Sequence, residues 1–449
     1  MFKIPNETGF ARQAFGHTEL GDARRTASLV FLVAGLAKHA AGRITEVFAT
    51  SSARERAYGL LESTSLNVLA LLHALGLAMK RLSKKLDCLF IVLDGSSLHL
   101  ADPHGKKGFG RVGSNAKNAR GLKVITAYAL NRAGIPLGIA WQEYWARLKR
   151  KPRLKGSSDR RSRPTHEKET QHWLNAIIAV TRWILPGKLW FLVDREGDSR
   201  PMLQTLMGLG VRFTVRSSWN RLLAQLHGKR RYLRSVMKHE ALRNTYQVNV
   251  PAGPHRKQRT AKMQVRAKRV SFEMHNRWTH TKSIITLNVV WVHEIGTTPH
   301  GEEALDWMLL TNTPIDSVED LSSVIRSYTL RWRIEDFHKT WKSGHCNVED
   351  TQLRSFRAAT SSAVMSATVA ATVERLKHLP RTEPESLANM ELSHDERAAL
   401  VALVSDLLNA ELAPGGRRQH SLKLPNVDMM SIGEAVAGLA KLGGYTGRA

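Results

Sequence analysis

The chain has 449 residues, roughly three typical domains' worth, and its 42% hydrophobic content with 32 Gly and 15 Pro excludes wholesale disorder. Lys and Arg number 67 against 39 Asp and Glu, a formal net charge of +28 with neutral histidines. An excess of that size calls for a soluble polyanion, nucleic acid first, with a merely basic solubility surface as the plainer alternative. Two cysteines, Cys88 and Cys346, exclude a disulfide framework or a CxxC zinc site and point to a reducing compartment.

In chain order, Met1–Phe10 lacks a basic stretch followed by an apolar one, so no leader is expected. Residues 1–80 read as helical. Asp22 is placed to cap a helix that turns Leu29, Val30, Leu32, Val33, Leu36 and Ala37 inward and ends near Gly42, with Arg24, Arg25, Lys38 and His39 on its other side. The most apolar run, Val68–Met79, is interrupted by His73 and too short to span a bilayer.

Leu89–Leu93 then runs straight into Asp94, and Leu189–Val193 into Asp194, each a continuous apolar run that fits a strand buried on both faces and ending at its aspartate. Between them, Lys123–Leu130 and Ile135–Trp141 flank Asn131-Arg132-Ala133-Gly134 as a hairpin, and Glu167–Ile184 reads as helix. Val211–Val215 is a fifth strand. Strand, strand, strand, helix, strand, strand is the order of a ribonuclease-H-like α/β core. In Arg147–Arg163 nine of seventeen residues are Lys or Arg, which predicts a flexible loop facing DNA. From Ser218 to Thr311 the period changes to two (Tyr246, Val248, Val250; Met263, Val265, Ala267; Ile285, Leu287, Val289, Trp291), predicting an inserted antiparallel sheet with one face wet. After Leu321 the pattern is helical to the end, with breaks at Pro380–Pro384 and Ala413–Gly416 and a last amphipathic stretch, Ala435–Leu442, open to core or partner contact. No internal repeat is evident.

The chemistry sits in the acidic residues. Neighbouring strands lie about 4.8 Å apart, so aspartates at the ends of adjacent buried strands hold their carboxylates side by side. A divalent cation, Mg²⁺ for hard oxygen ligands shared with phosphate, resolves that repulsion. Each aspartate alone is equally readable as a simple strand end. Tyr328, Arg331, Glu335, His338 and Lys342 follow at spacings of 3, 4, 3 and 4, one stripe along a helix beside an apolar stripe of Leu330, Ile334, Phe337 and Trp341. A carboxylate flanked by Arg, Lys, Tyr and His reads as a metal ligand among phosphate binders. The basic neighbours of Glu335 favour its ionised form.

Tyr328-x2-Arg331-x3-Glu335-x6-Lys342 resembles the signature of the bacterial DDE transposases of the insertion-sequence-four group, transposon-five branch. Further stretches agree: Leu20–Ser28 (Leu-Gly-Asp-Ala-Arg-Arg-Thr-Ala-Ser), Val193–Asp198 (Val-Asp-Arg-Glu-Gly-Asp), Val215–Ser217 and Trp307–Thr311, so that the likeness covers residues 10–445. It implies a ribonuclease-H-like α/β catalytic core with an inserted antiparallel β domain. Asp94, Asp194 and Glu335 would hold two Mg²⁺ ions, with Mn²⁺ as a substitute. It further implies phosphate contacts from Arg216, Tyr328, Arg331 and Lys342, base stacking by Trp307 with Trp332 among the DNA contacts, and end recognition by Arg25, Lys38 and His39. Trp307, before Met308-Leu309-Leu310, also fits ordinary core.

The implied domains are a helical end-binding domain over 1–80, the core over 81–365 interrupted by the β insertion over 218–311, and a helical region over 366–449. The implied activity is metal-dependent cleavage and joining of DNA in cut-and-paste transposition through a hairpin intermediate. Its substrates are terminal inverted repeats and target DNA, in a cytoplasmic, nucleoid-associated setting without membrane. Relatives continue past Tyr445 into helices that pair two subunits, and a homodimer on DNA is expected. The alternative is a DNA-binding regulator that keeps the end-binding surface without an assembled site.

Overall fold

The computed structural model describes residues 7–113, 119–147, 165–224, 230–250, 252–253, 257–276, 279–411 and 426–442. It opens with five helices, α1 (Glu7–Phe15), α2 (Ala23–Lys38), α3 (Ile44–Val47), α4 (Ser51–Glu62) and α5 (Val68–Ser83). Asp22 starts α2 as expected, its carboxylate accepting from the Arg24 N–H at 2.8 Å. The helix stops at Lys38, short of Gly42, because His39 leaves the helical conformation at φ −134°.

Ten strands among the described residues make one sheet. They are β1 (Leu89–His99), β2 (Gly110–Arg111), β3 (Arg120–Leu130), β4 (Pro136–Trp145), β5 (Leu189–Val193), β6 (Arg212–Arg216), β7 (Leu242–Val250), β8 (Arg259–Asn276), β9 (Thr281–Ile295) and β10 (Asp306–Thr311). The order runs β2-β3-β1-β5-β6-β10-β9-β8-β7, with β4 also on β3. β1, β5 and β6 are parallel to one another; every other pairing is antiparallel. Parallel neighbours need a crossover. α6 (Thr170–Thr181) precedes β5, and α7 (Arg200–Gly208) joins β5 to β6. The sequence pattern missed α7, a nine-residue helix whose Pro201 sits where proline is tolerated, at its start, behind the Ser199 cap.

Two expectations about residues 218–311 change. β10 pairs with β6 and β9 with β10, so this segment, which also holds α8 (Leu233–Lys238), extends the core sheet. Nor is one face simply wet. In β8, Ala261, Met263, Val265 and Ala267 pack into one hydrophobic cluster, and Val270, Phe272 and Met274 into the other. The alternation of period two continues while the cover passes from one side of the sheet to the other, and where both sides are covered Val289–Val292 of β9 are all buried.

The first of those clusters joins the amino-terminal helices, one sheet face and the later helices α9 (Val318–Thr329), α10 (Arg333–Lys342) and α11 (Phe356–Thr382). The second lies on the opposite face under α6 and α7. α11 is rich in Ala, Ser, Thr and Val, is buried along Ala358–Ala371, and carries the chain through residue 365, where the sequence placed a boundary, and through Pro380. α12 (His394–Glu411) and α13 (Ile432–Leu442) share a third small cluster that takes in Leu400, Val404 and Ala435, which puts the Ala435–Leu442 stretch partly in core. Cys88 and Cys346 are buried free thiols. No described helix is long and apolar enough to cross a membrane. The break at Ala413–Gly416 and the basic loop lie outside the described residues, except Arg147, which pairs with Glu169.

Candidate active site

The register of β1 on β5 runs from Leu89 opposite Leu189 to Leu93 opposite Val193, so Asp94 and Asp194 come next, side by side. Alternation turns both toward the face of Phe90, Val92, Trp190 and Leu192, the face that α9 and α10 cover. The runs were expected to end alike, and they do not. β5 stops at Val193, whereas β1 continues to His99 because β3 goes on pairing with it, Asp94 standing opposite Thr126. Past the strand end, Asp194 Oδ1 accepts the Glu196 N–H at 2.8 Å.

Glu335 arrives from above, in the first turn of α10. Ile334, Phe337 and Trp341 fix this helix in the core, as their spacing predicted. The polar stripe does not lie on one unbroken α-helix, however, since a 3-10 turn, Leu330–Trp332, separates α9 from α10. That tighter turn carries Arg331 into the interior, where its Nη2 donates to Glu335 Oε1 at 2.7 Å. Burial opposes the charge of Arg331, but Tyr328, Glu335 and Asp94 outweigh it and hold the guanidinium above its ordinary value.

Electrostatics tie the three acids together. Burial first, then Asp194, and after them Glu196 and Glu335 push the Asp94 carboxyl up to about 7, against the pull of Arg331. The Asp94 side chain is only 14% exposed. Hard oxygen donors that repel one another in a partly dry site suit a divalent cation, whose charge would restore the ionised form. His338 also faces this site, its Nδ1 3.6 Å from Asp94 Oδ2, and burial with Lys342 and Arg331 lowers it to about 3, a neutral ring.

Other sequence-selected residues gather around this centre. Arg216, at the end of β6, donates to the Asp306 carbonyl at 2.8 Å. Burial raises the Tyr328 hydroxyl while a hydrogen bond with Arg216 works against it. Lys342 Nζ lies 3.5 Å from Glu349 Oε1, and Glu349 in turn accepts the His99 N–H at the end of β1. Trp307 is half-buried, its ring centroid 5.9 Å from that of Tyr328, while Trp332 is 55% exposed with Arg331 over its ring. Arg25, Lys38 and His39 are exposed on the amino-terminal helices, in a separate region of the chain.

The sequence reading overlooked two arrangements. Asp198, buried behind Asp194, accepts from Arg221 and, at 2.7 Å, from the Ser218 N–H, stapling the loop after β5 to the loop after β6. Asp336, Glu374 and His378 form a group whose ligand atoms lie within 4.8 Å of one another, as a metal site would require. Here Arg333 Nη1 is 2.8 Å from His378 Nδ1 and Lys377 Nζ donates to Glu374 Oε1 at 2.8 Å. Those cations supply the positive charge internally, so the group acts as a latch between α10 and α11. A lone glutamate in the small-residue run of α11 was the available signal.

A family model described as "Transposase DNA-binding" matches residues 7–66, the span of α1–α4, and one described as "Transposase DDE domain" matches residues 164–371. The second match contains Asp194, Glu335 and the whole Tyr328–Lys342 stripe; Asp94 precedes it. A DNA-binding segment thus leads into a DDE domain, and the protein is a DDE transposase, a metal-dependent DNA nuclease and strand transferase.

Proposed function

We propose that this transposase belongs to the transposon-five branch of the insertion-sequence-four group and performs cut-and-paste transposition through a hairpin intermediate. Asp94, Asp194 and Glu335 are its catalytic acids on a ribonuclease-H-like core. The observation that carries this reading is the adjacent placement of Asp94 and Asp194 under α10, with Glu335 and the buried Arg331 facing them. The three carboxylates would hold two Mg²⁺ ions, which supply an activated nucleophile and stabilise the departing 3′ oxygen.

The remaining steps belong to the chain's own groups. Arg331 aims Glu335 by their 2.7 Å bond. Arg216, Tyr328 and Lys342 bind phosphates on either side of the reacting one, holding the strand in line for displacement. Arg25, Lys38 and His39 read the terminal inverted repeat from a helical domain over 1–80. A hairpin needs a sharply bent backbone and an unstacked base, for which Trp307, beside Tyr328, and Trp332 offer aromatic surface. Two subunits assemble on the paired ends. Target DNA then accepts the freed 3′-hydroxyl at the same site.

The test is excision from a plasmid carrying the element's own ends, resolved on gels with Mg²⁺. Double-strand release with hairpin and joined products is expected. Binding without cutting would make the protein a regulator, and cutting without joining a nuclease. Glu335→Ala should abolish cleavage and leave end binding, measured by mobility shift, nearly unchanged. Retained cleavage would remove Glu335 from the acid set. Lys342→Ala should weaken binding and lower the slope of log affinity against log salt by up to about one, since each phosphate contact contributes to that slope. The Glu349 partner of Lys342 makes the loss the smaller end of that range.

A further inference from the structure

Trp219 is 64% exposed, an indole left in water on the loop after β6, the strand that pairs with β5. Its backbone is nevertheless held on both sides. Ser217 Oγ lies 3.1 Å from the Trp219 carbonyl, and the Ser218 N–H and hydroxyl bond Asp198 and the Arg195 carbonyl at 2.7 and 2.6 Å. On the other side Asn220 Oδ1 accepts the Arg234 N–H at 2.9 Å, and Arg221 pairs with Asp198. Arg195 and Asp198 belong to the loop that begins at Asp194, so the tryptophan is anchored to the segment that carries a catalytic acid.

An aromatic ring fixed by its backbone and bare on its surface gains most when a flat apolar partner covers it. On a DNA-cleaving enzyme that partner is a nucleobase, and one out of its duplex stack presents a whole face. Arg195, on the loop after β5, and Arg216, the last residue of β6, offer the neighbouring phosphates a positive field. We infer that Trp219 is a base-stacking residue that receives an unpaired nucleobase of DNA beside the scissile phosphate. This rests on the function proposed above and adds a contact from the loop after β6, on a different element from Trp332 in the turn between α9 and α10.

The test uses the full chain in metal-free buffer, so that nothing is cut. Its probes are an arbitrary-sequence duplex with a short unpaired overhang carrying 2-aminopurine and the same duplex blunt-ended. Wild type should prefer the overhang and quench the 2-aminopurine. Trp219→Ala should lose that preference by on the order of tenfold to a hundredfold and lose the quenching. Trp219→Phe should retain part of both. The salt slope should stay at the wild-type value in each variant, because stacking releases no counterions. Because the side chain is exposed, the melting temperature should not move. Unchanged preference and quenching in Trp219→Ala, or quenching lost only in Trp307→Ala, overturns the inference alone. Failure of wild type to bind either of these duplexes overturns the inference, and failure to bind the element's own ends as well overturns the proposed function with it.

Discussion

Asp94→Asn is expected to cut DNA cleavage by on the order of a thousandfold or more, and at the same time to stabilise the metal-free protein. The two effects have one origin. In the fold, burial and the neighbouring Asp194 raise this carboxyl to about 7, whereas in the unfolded chain it titrates near 4. A raised acid destabilises the folded state as pH rises from the unfolded value, and the cost is complete above the folded one. At pH 8 the wild type bears it in full, about 2–4 kcal/mol after allowance for relaxation of the site, and the asparagine variant does not. Melting curves without metal should therefore place Asp94→Asn several degrees above wild type at pH 8 and level with it near pH 4. Added Mg²⁺ should raise the wild type much more than the variant. A variant that melts at or below wild type at pH 8 would mean that the acids are not in mutual repulsion, and the metal assignment would go with it.

Glu374→Ala should be the most destabilising single change at the site's periphery, by about 1–3 kcal/mol at neutral pH, since it removes the buried carboxylate that Thr340, Lys377 and His378 all bind. Burial alone would raise this carboxyl, but hydrogen bonds from His378, Lys377 and Thr340 bring it down to about 2. A lowered acid stabilises the fold above the unfolded value, near 4, and loses that contribution as pH falls toward 2. Denaturant titrations of wild type and variant should accordingly differ most at pH 7, less at pH 3, and converge only as pH falls through about 2. Cleavage by the folded variant, assayed well below its melting temperature, should also fall, because α10 carries Glu335 and the latch fixes α10 to α11. Equal stability at pH 7 would show the latch to be idle.

Much of this site could be read from sequence because its parts obey local rules. Strands buried on both faces must be apolar without interruption, so Leu89–Leu93 and Leu189–Val193 announced themselves and their aspartates. Residues that share a helix face recur at three and four, which exposed Glu335 and its neighbours. What escaped depends on partners distant in the chain. Gly95, Ser96 and Ser97 have little preference for strand, and only pairing with β3 keeps them extended. Residues 218–311 looked separate because nothing in their own pattern tells that β10 will pair with β6. The 3-10 turn leaves the three- and four-residue spacings intact while turning Arg331 inward, and the Asp336, Glu374 and His378 latch joins residues up to 42 positions apart in the chain. Packing decides those features.

The unequal ends of β1 and β5 have a mechanical consequence. Asp94 stands mid-strand, its main chain clamped by β3 on one flank, and so behaves as the fixed jaw of a vice. Asp194 hangs where its strand has just finished, and Glu335 rides on a short helix beyond a tight turn; these are the jaws with travel. A site that must both cut DNA and join it can keep one point of reference still and take up the slack on the other two.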